Sequence, residues 1–187
     1  FQVDPLLIRL MVNRGVDTEG KIQQYLHGTW EELPAPDSMK DMEKGAEAIL
    51  RTVRDGRLVV IASDFDVDGI FSGQILLEGL RRLGGKACVK TPDRIREGYG
   101  LNLRIVEEAA AEGAGLLLTC DNGIAAWEAA GRAAERGIPL VVTDHHEVPF
   151  EETPEERSYL LPRAEAIIDP KQEDCAYPFS KLCGAGV

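Results

Sequence analysis

The sequence predicts an α/β protein with a doubly wound, mainly parallel five-stranded sheet, flanked by helices and preceded by a short helical lead-in. Two observations support this fold class. From Leu58 onward, apolar runs of strand length alternate with amphipathic stretches of helical length. In addition, acidic residues directly follow three of these runs, and reactive groups in open α/β sheets collect outside the carboxyl ends of the strands.

The first 37 residues are predicted to form the helical lead-in. Residues 4–12 and 18–27 each carry apolar side chains at helical spacing, and Gly15 separates them. The proline-rich stretch 34–38 then breaks the chain. We therefore divide the sequence into a lead-in, residues 1–37, and a main α/β domain, residues 38–187.

The elements of the domain follow in order along the chain. Asp37 or Ser38 is predicted to cap a helix that runs to about Arg54. The predicted strands are Leu58–Ser63, Lys86–Lys90, 115–119, 139–143 and Ala166–Ile168, and the predicted helices between them are 70–83, 102–112 and 124–136. The acidic stretch 151–156 is interpreted as a solvated surface loop.

The composition predicts a soluble, cytoplasmic protein. The chain has 187 residues, 44% hydrophobic and 28% charged, which is enough for one well-filled core. No apolar run approaches the roughly 20 residues of a membrane span, and no secretory signal is visible. The four cysteines lack C-x-x-C spacing and are interpreted as reduced thiols.

The net charge of −11 argues against a broad basic surface that grips nucleic acid, because lysine and arginine normally make the phosphate contacts. Any binding of a polyanion is therefore expected to be local. Metal ions and a few placed arginines could hold one or two phosphates.

Three acidic clusters carry most of the functional information. Asp64-Phe65-Asp66-Val67-Asp68-Gly69 follows the first apolar run, Asp121 follows the third, and Asp144-His145-His146 follows the fourth. Carboxylates about 4 Å apart repel by roughly 4 kcal/mol at a partly buried site, so several can converge only around a cation. Carboxylates with imidazole suit Mn²⁺ best and Mg²⁺ next, whereas zinc usually prefers more nitrogen or sulfur.

Other interpretations of these clusters fit less well. A calcium-binding loop that begins at Asp64 needs a glutamate at its twelfth position, where Ile75 stands. A phosphatase of the haloacid dehalogenase type would use Asp66 as nucleophile and Asp68 as acid/base, but we find no downstream G-D-x-x-x-D motif. An isolated D-H-H tripeptide is typical of a helix cap followed by polar loop residues, and only its position at a strand end favours a site.

The loop 92–100 carries two arginines after the second predicted strand, on the same edge as the clusters. Arginine suits bidentate phosphate contact, which makes Arg94 a candidate substrate ligand. A surface loop with an Arg–Glu pair is the alternative.

With these residues in view, the chain resembles the DHH phosphoesterase superfamily. Residues 63–69, 119–123 and 144–146 are similar to its first three motifs. Further similarity, over essentially the whole chain, points to the single-strand-specific DNA exonucleases of the superfamily. This resemblance implies metal-dependent phosphodiester hydrolysis that removes mononucleotides stepwise from the 5′ end of single-stranded DNA in repair and recombination. It also implies helicases or single-strand-binding proteins as candidate partners.

The resemblance assigns roles to individual residues. Paired Mn²⁺ or Mg²⁺ ions would be held by the metal ligands, with Asp121 bridging the two ions. His146 would sit against the scissile phosphate, and Asp144 would orient a neighbouring imidazole. The complete set of predicted site residues is Asp64, Asp66, Asp68, Asp121 and His145 for metal, His146 and Asp144 for catalysis, and Arg94 and Asn122 for substrate.

The family also has a fourth motif with a further ligand and a second, basic domain, both expected beyond residue 187, so we expect a truncated catalytic domain. Asp169 is not counted as the missing ligand. Two alternatives to the exonuclease stay open: a DHH phosphodiesterase acting on short RNA oligonucleotides or cyclic dinucleotides, and a folded module that binds metal weakly and catalyses nothing.

Overall fold

A computed structural model describes residues 3–153 and 156–187 of the chain. It divides into two compact units, Phe1–Ala35 and Pro36–Val187. The first unit contains α1 (Pro5–Val12), α2 (Glu19–His27) and a 3-10 turn (Trp30–Glu32). Asp4 and Thr18 cap the two helices by accepting main-chain N–H groups of the first turn.

The second unit alternates strands and helices. Its elements are α3 (Met42–Arg54), β1 (Leu58–Ser63), α4 (Val67–Arg82), β2 (Lys86–Lys90), α5 (Leu103–Ala111), β3 (Ala114–Cys120), α6 (Trp127–Glu135), β4 (Leu140–Thr143), β5 (Phe150–Glu152), β6 (Arg157–Tyr159) and β7 (Ala166–Ile168), with 3-10 turns at Pro36–Ser38 and Gly184–Gly186.

Five strands form the main sheet in the order β2-β1-β3-β4-β7, and every neighbouring pair is parallel. This confirms the predicted doubly wound sheet. The chain moves outward from β1 to β2 on one side, then crosses back to β3 on the other. The boundary between β1 and β3 is therefore the switch point, where open α/β sheets hold their ligands.

The core lies on both faces of this sheet. One set of inward residues, including Val60, Leu117 and Val142, packs against α5 and α6. The alternate set, including Ile61 and Leu118, packs against α3 and α4. Because a parallel sheet is covered on both faces, its strands are nearly continuous apolar runs, which is the pattern that the sequence shows.

Some predicted boundaries were wrong, and side-chain hydrogen bonds explain why. The cap of α3 is Asp41 rather than Asp37 or Ser38, and the Asp41 carboxylate accepts the N–H of Ile167 in the edge strand β7. Helix α4 begins at Val67 instead of residue 70, since Asp66 accepts the N–H of Gly69 at 3.0 Å.

The predicted surface loop 151–156 was partly wrong. Strands β5 and β6 pair in an antiparallel hairpin, separate from the main sheet, while Pro154 and Glu155 lie outside the described residues. The four cysteines are free, as predicted. Within the described ranges no helix combines the length and the apolar character needed to cross a bilayer.

Candidate metal centre

The sheet register brings the three acidic clusters to one edge. Ser63 is the partner of Cys120 across β1 and β3, and Cys120 is the partner of Thr143 across β3 and β4. The next residues in the chain are Asp64, Asp121 and Asp144, so all three leave adjacent parallel strands at the same level. Two of them flank the switch point.

Asp121 lies at the centre of this edge. Its backbone is left-handed, with φ of 61°, and its side chain is nearly buried. Oδ1 lies 2.9 Å from His145 Nε2 but outside hydrogen-bonding geometry, and it has no hydrogen-bond partner among the described residues. Burial, with the charges of Asp68 and Asp66, raises the pKa of Asp121 to about 7.

Two groups of possible ligand atoms share Asp121. Oxygens of Asp64, Asp66 and Asp121 all lie within 4.8 Å of one another, and atoms of Asp121, His145 and His146 do so as well. Such spacing suits cation positions on either side of one carboxylate. Gly69 lets α4 begin close to this group, because a Cβ there would stand 2.6 Å from the main-chain oxygen of Asp64.

Asp68 lies next to this group, on the first turn of α4. Its Oδ2 is 3.6 Å from His145 Nε2 and accepts the N–H of Gly184 at 2.7 Å, while Oδ1 accepts the N–H of Ala185 at 2.8 Å. Burial by itself would raise the pKa of Asp68, but these amides and the nearby His145 outweigh it and lower that pKa.

Asp144 organises the two histidines that follow it. Its Oδ1 accepts the N–H groups of His145 and His146 and the His146 Nδ1–H at 2.7 Å, while Oδ2 accepts the N–H of Ile124 at 2.9 Å. The hydrogen bond to Asp144 raises the pKa of His146 to about 8, so this imidazole is mostly protonated at neutral pH. In this protonated form Nε2 carries a hydrogen and can donate a hydrogen bond to a ligand.

Asn122 uses its side chain inside the protein. Oδ1 accepts the N–H of Leu101 at 2.9 Å, and Nδ2 donates to the main-chain oxygens of Ala62 and Cys120. The amide thus joins the ends of β1 and β3 to the loop that follows β2. Gly100 has φ of 66° and passes so close that a Cβ would meet Asn122 at 2.9 Å.

Arg94 lies on the loop between β2 and α5, beside the cluster. Its guanidinium carbon is 5.0 Å from the centre of the Phe65 ring, and Phe65 also packs against Tyr99 with ring centres 5.4 Å apart. Phe65 directly follows Asp64, so this partly exposed aromatic pair borders the acidic edge. An ion pair between Glu97 and Arg104 anchors the loop to α5.

Asp169 directly follows β7 and is fully buried. Its Oδ1 accepts the N–H of Lys171, whereas Oδ2 has no hydrogen-bond partner in the described part of the chain. Burial raises the pKa of Asp169 to about 7.

The sequence analysis did not predict a role for Gly184 and Ala185, whose amides donate hydrogen bonds to Asp68. The glycine-rich sequence of this segment indicates a close approach of its backbone to another part of the protein. It does not identify the partner, because Asp68 lies 116 positions earlier.

These observations define a doubly wound α/β domain with acidic and imidazole groups gathered at its switch point. The family model described as "DHH family, N-terminal domain" matches residues 58–187. The chain therefore belongs to the DHH family, as the sequence motifs predicted, and the haloacid dehalogenase alternative was wrong.

Individual relatives point to one branch of this family. The chain is 36% identical to the single-stranded-DNA-specific exonuclease RecJ of Bacillus subtilis over 100% of its own length and 23% of the relative. The Escherichia coli RecJ is 35% identical, over 100% of this chain and 30% of the relative. The chain thus spans less than a third of the length of these curated relatives.

Solved structures give the same result. A crystal structure of exonuclease RecJ bound to manganese matches with a TM-score of 0.68 and 30% identity, over 82% of this chain and 37% of that one. The Mn²⁺ complex of RecJ from Thermus thermophilus has a TM-score of 0.62 over 100% of this chain and 26% of that one; at 23% identity, it supports the fold alone.

Proposed function

We propose that this chain supplies the metal-binding part of a 5′→3′ exonuclease that hydrolyses phosphodiester bonds of single-stranded DNA. The observation that carries the proposal is the position of Asp121 at the switch point. One of its oxygens lies within 4.8 Å of oxygens of Asp64 and Asp66. Its Oδ1 also lies 2.9 Å from His145 Nε2, which is itself 3.6 Å from Asp68 Oδ2. The RecJ relatives support the substrate and the reaction, and the RecJ–manganese complex supports the metal.

The residues present fit two divalent cations, Mn²⁺ or Mg²⁺. Asp121 is buried and is repelled by neighbouring carboxylates, and its Oδ1 has no hydrogen-bond partner among the residues that the structure describes. A cation would therefore remove an unfavourable charge distribution. The donor set contains oxygens and imidazole without thiolate, which suits these metals. In this proposal the ions are held by Asp64, Asp66, Asp68, Asp121 and His145.

Bound metal would supply Lewis acidity and an activated water. The remaining work belongs to the protein. His146, protonated and oriented by Asp144, faces the phosphate and stabilises its developing negative charge. Arg94 offers a second positive group, and the rings of Phe65 and Tyr99 offer faces on which unpaired bases can stack.

The proposed substrate suggests the cellular process and compartment in which the protein acts. We propose that the complete protein acts in the cytoplasm, in DNA repair and recombination, where single strands arise. Local contacts at the metal centre suit a chain of net charge −11 better than a long basic groove would. Helicases and single-strand-binding proteins stay predicted partners.

The proposal is tested with Asp121→Asn in the complete protein. We expect the variant to degrade 5′-labelled single-stranded DNA with Mn²⁺ about 10³-fold more slowly, because loss of the shared ligand removes several kcal/mol of stabilisation. Asp55→Asn, an exposed change just before β1, is the control and should retain activity. Full activity in Asp121→Asn would refute the proposal. Faster hydrolysis of dinucleotides than of long strands by the wild type would favour the alternative substrate class.

A further inference from the structure

The amides of Gly184 and Ala185 hold both oxygens of the Asp68 carboxylate. The distances are 2.7 Å to Oδ2 and 2.8 Å to Oδ1, so rotation of the carboxylate is restricted. The Cys183 side chain also hydrogen-bonds to this carboxylate. Two carboxylate oxygens offer about four lone pairs, so three hydrogen bonds do not use all of them. The remaining lone pairs can therefore serve a cation in a fixed direction.

Gly184 also passes directly across Asp121. A Cβ on Gly184 would lie 2.6 Å from Cβ and 2.7 Å from Cγ of Asp121, closer than real side chains approach. The restriction comes from proximity rather than from backbone strain, because Gly184 is not among the glycines with positive φ. Any larger residue would displace the carboxylate at the centre of the site.

We propose that Gly184 and Ala185 are positioning residues of the metal centre. Their amides hold the Asp68 carboxylate in one orientation. Because Gly184 has no side chain, it leaves room for the Asp121 carboxylate to face a cation. This inference rests on the proposed metal-dependent function. It assigns a role to main-chain groups that are distant in sequence from every predicted ligand. Groups that orient metal ligands typically change metal affinity by about 10–100-fold when altered.

A simpler explanation is that Asp68 only anchors the segment that contains Gly184 and Ala185. In that case, disrupting the contact would lower stability and leave the intrinsic affinity of the folded protein for metal unchanged. The two roles are separated by measuring Mn²⁺ affinity and metal-free stability on the same variants.

The test compares neighbouring glycines in the complete protein. Gly184→Ala should weaken Mn²⁺ binding about 10–100-fold, as measured by the electron paramagnetic resonance signal of free Mn²⁺. Gly186→Ala is the matched control and should bind like the wild type, because its Cβ would meet only the flexible side chain of Leu182 and the Cys183 sulfur. Thermal unfolding in EDTA reports whether each variant is folded.

A proline pair provides a second, independent test. Ala185→Pro deletes the amide that donates to Asp68, whereas Gly186→Pro deletes an amide that donates to the Cys183 oxygen. Only Ala185→Pro should weaken Mn²⁺ binding.

The outcomes are distinguishable. Wild-type Mn²⁺ affinity in folded Gly184→Ala and Ala185→Pro would overturn the inference, as would failure of both variants to fold, since the segment would then serve folding alone. Absence of Mn²⁺ binding in the wild type would instead contradict the proposed function.

Discussion

Asp121 is the residue on which the candidate centre depends most. It follows a fully buried strand and has a left-handed backbone conformation. Its carboxylate lies beside His145 and in close contact with the backbone of Gly184. Its raised pKa is the expected response of a carboxyl group that is desolvated and surrounded by like charges. Metal and proton should therefore compete for this one group.

That competition gives a prediction about pH. Since the pKa of Asp121 is about 7 without metal, raising the pH toward 7 should remove its proton and increase Mn²⁺ affinity by up to about tenfold per pH unit, with a plateau above 7. Isothermal titration between pH 5.5 and 8.5 measures this. Asp121→Asn should bind weakly and lose this component of the pH dependence, whereas Asp55→Asn should behave like the wild type. A flat wild-type profile below pH 7 would contradict the prediction.

At the scale of elements, the turns that follow the strands are held in place by hydrogen bonds other than those of the sheet. Parallel strands align their carboxyl ends, but the side chains beyond them are fixed only by further contacts. Asn122 provides three hydrogen bonds to the main chain of β1, β3 and the loop after β2. It therefore holds the candidate metal centre and the Arg94 loop at a fixed separation.

Removing this amide should have a measurable cost. Asn122→Ala should lower the free energy of unfolding by about 3 kcal/mol, because it breaks three hydrogen bonds and leaves buried main-chain groups unpaired. Asn102→Ala, which removes the side-chain cap of α5, should cost about 1 kcal/mol. Urea denaturation compares them. The predicted role of Asn122 in substrate contact would instead appear as a raised KM without loss of stability.

At the scale of the whole molecule, negative charge is concentrated at one edge of the sheet. The chain carries a net charge of −11, and several buried or half-buried aspartates lie where β1, β3, β4 and β7 end. When no metal is present, the unfavourable electrostatic free energy of these clustered carboxylates lowers the stability of the folded protein, and the packing of the rest of the domain must offset it. Asp169 shows the cost most clearly, because it is fully buried and one of its oxygens has no hydrogen-bond partner within residues 3–153 and 156–187.

Asp169→Asn should therefore stabilise the metal-free protein at neutral pH. The unfolded carboxyl group loses its proton near pH 4, but the folded one keeps it until about pH 7, so its contribution to stability is greatest below pH 4 and is lost as the pH rises to 7. The gain in unfolding free energy should grow over this range, reach at most about 4 kcal/mol, and stay constant above it.

Chemical denaturation in EDTA at pH 4 to 8 measures this gain. Asp174→Asn is the opposite control: Lys40 lowers the pKa of Asp174, so its removal should slightly destabilise the protein above pH 4. A gain from Asp169→Asn that is independent of pH would refute the explanation.

Most of the fold and the location of the candidate site could be predicted from local patterns. Helix starts were predicted less well. The Asp41 carboxylate accepts the N–H of Ile167 instead of capping α3 with its side chain, and Asp66 caps α4, which begins three residues before the predicted start. The roles of the predicted ligands stay predictions, but their convergence near Asp121 agrees with the strand-end pattern. The hydrogen bonds of Asn122 and Asp68 could not be predicted from their motifs, because the partners, Leu101 and Gly184, lie in distant segments of the sequence.

The sequence by itself determined the order of strands and helices and the gathering of acidic residues at one edge. Its apolar periodicity specifies which segments are buried, and parallel strands necessarily end on the same side. Only the tertiary structure decided which carboxylate oxygens already accept hydrogen bonds, such as both oxygens of Asp68, and which do not, such as Oδ1 of Asp121 within the described residues. That choice depends on long-range packing, such as the approach of Gly184 to Asp68 and Asp121, which no local pattern encodes.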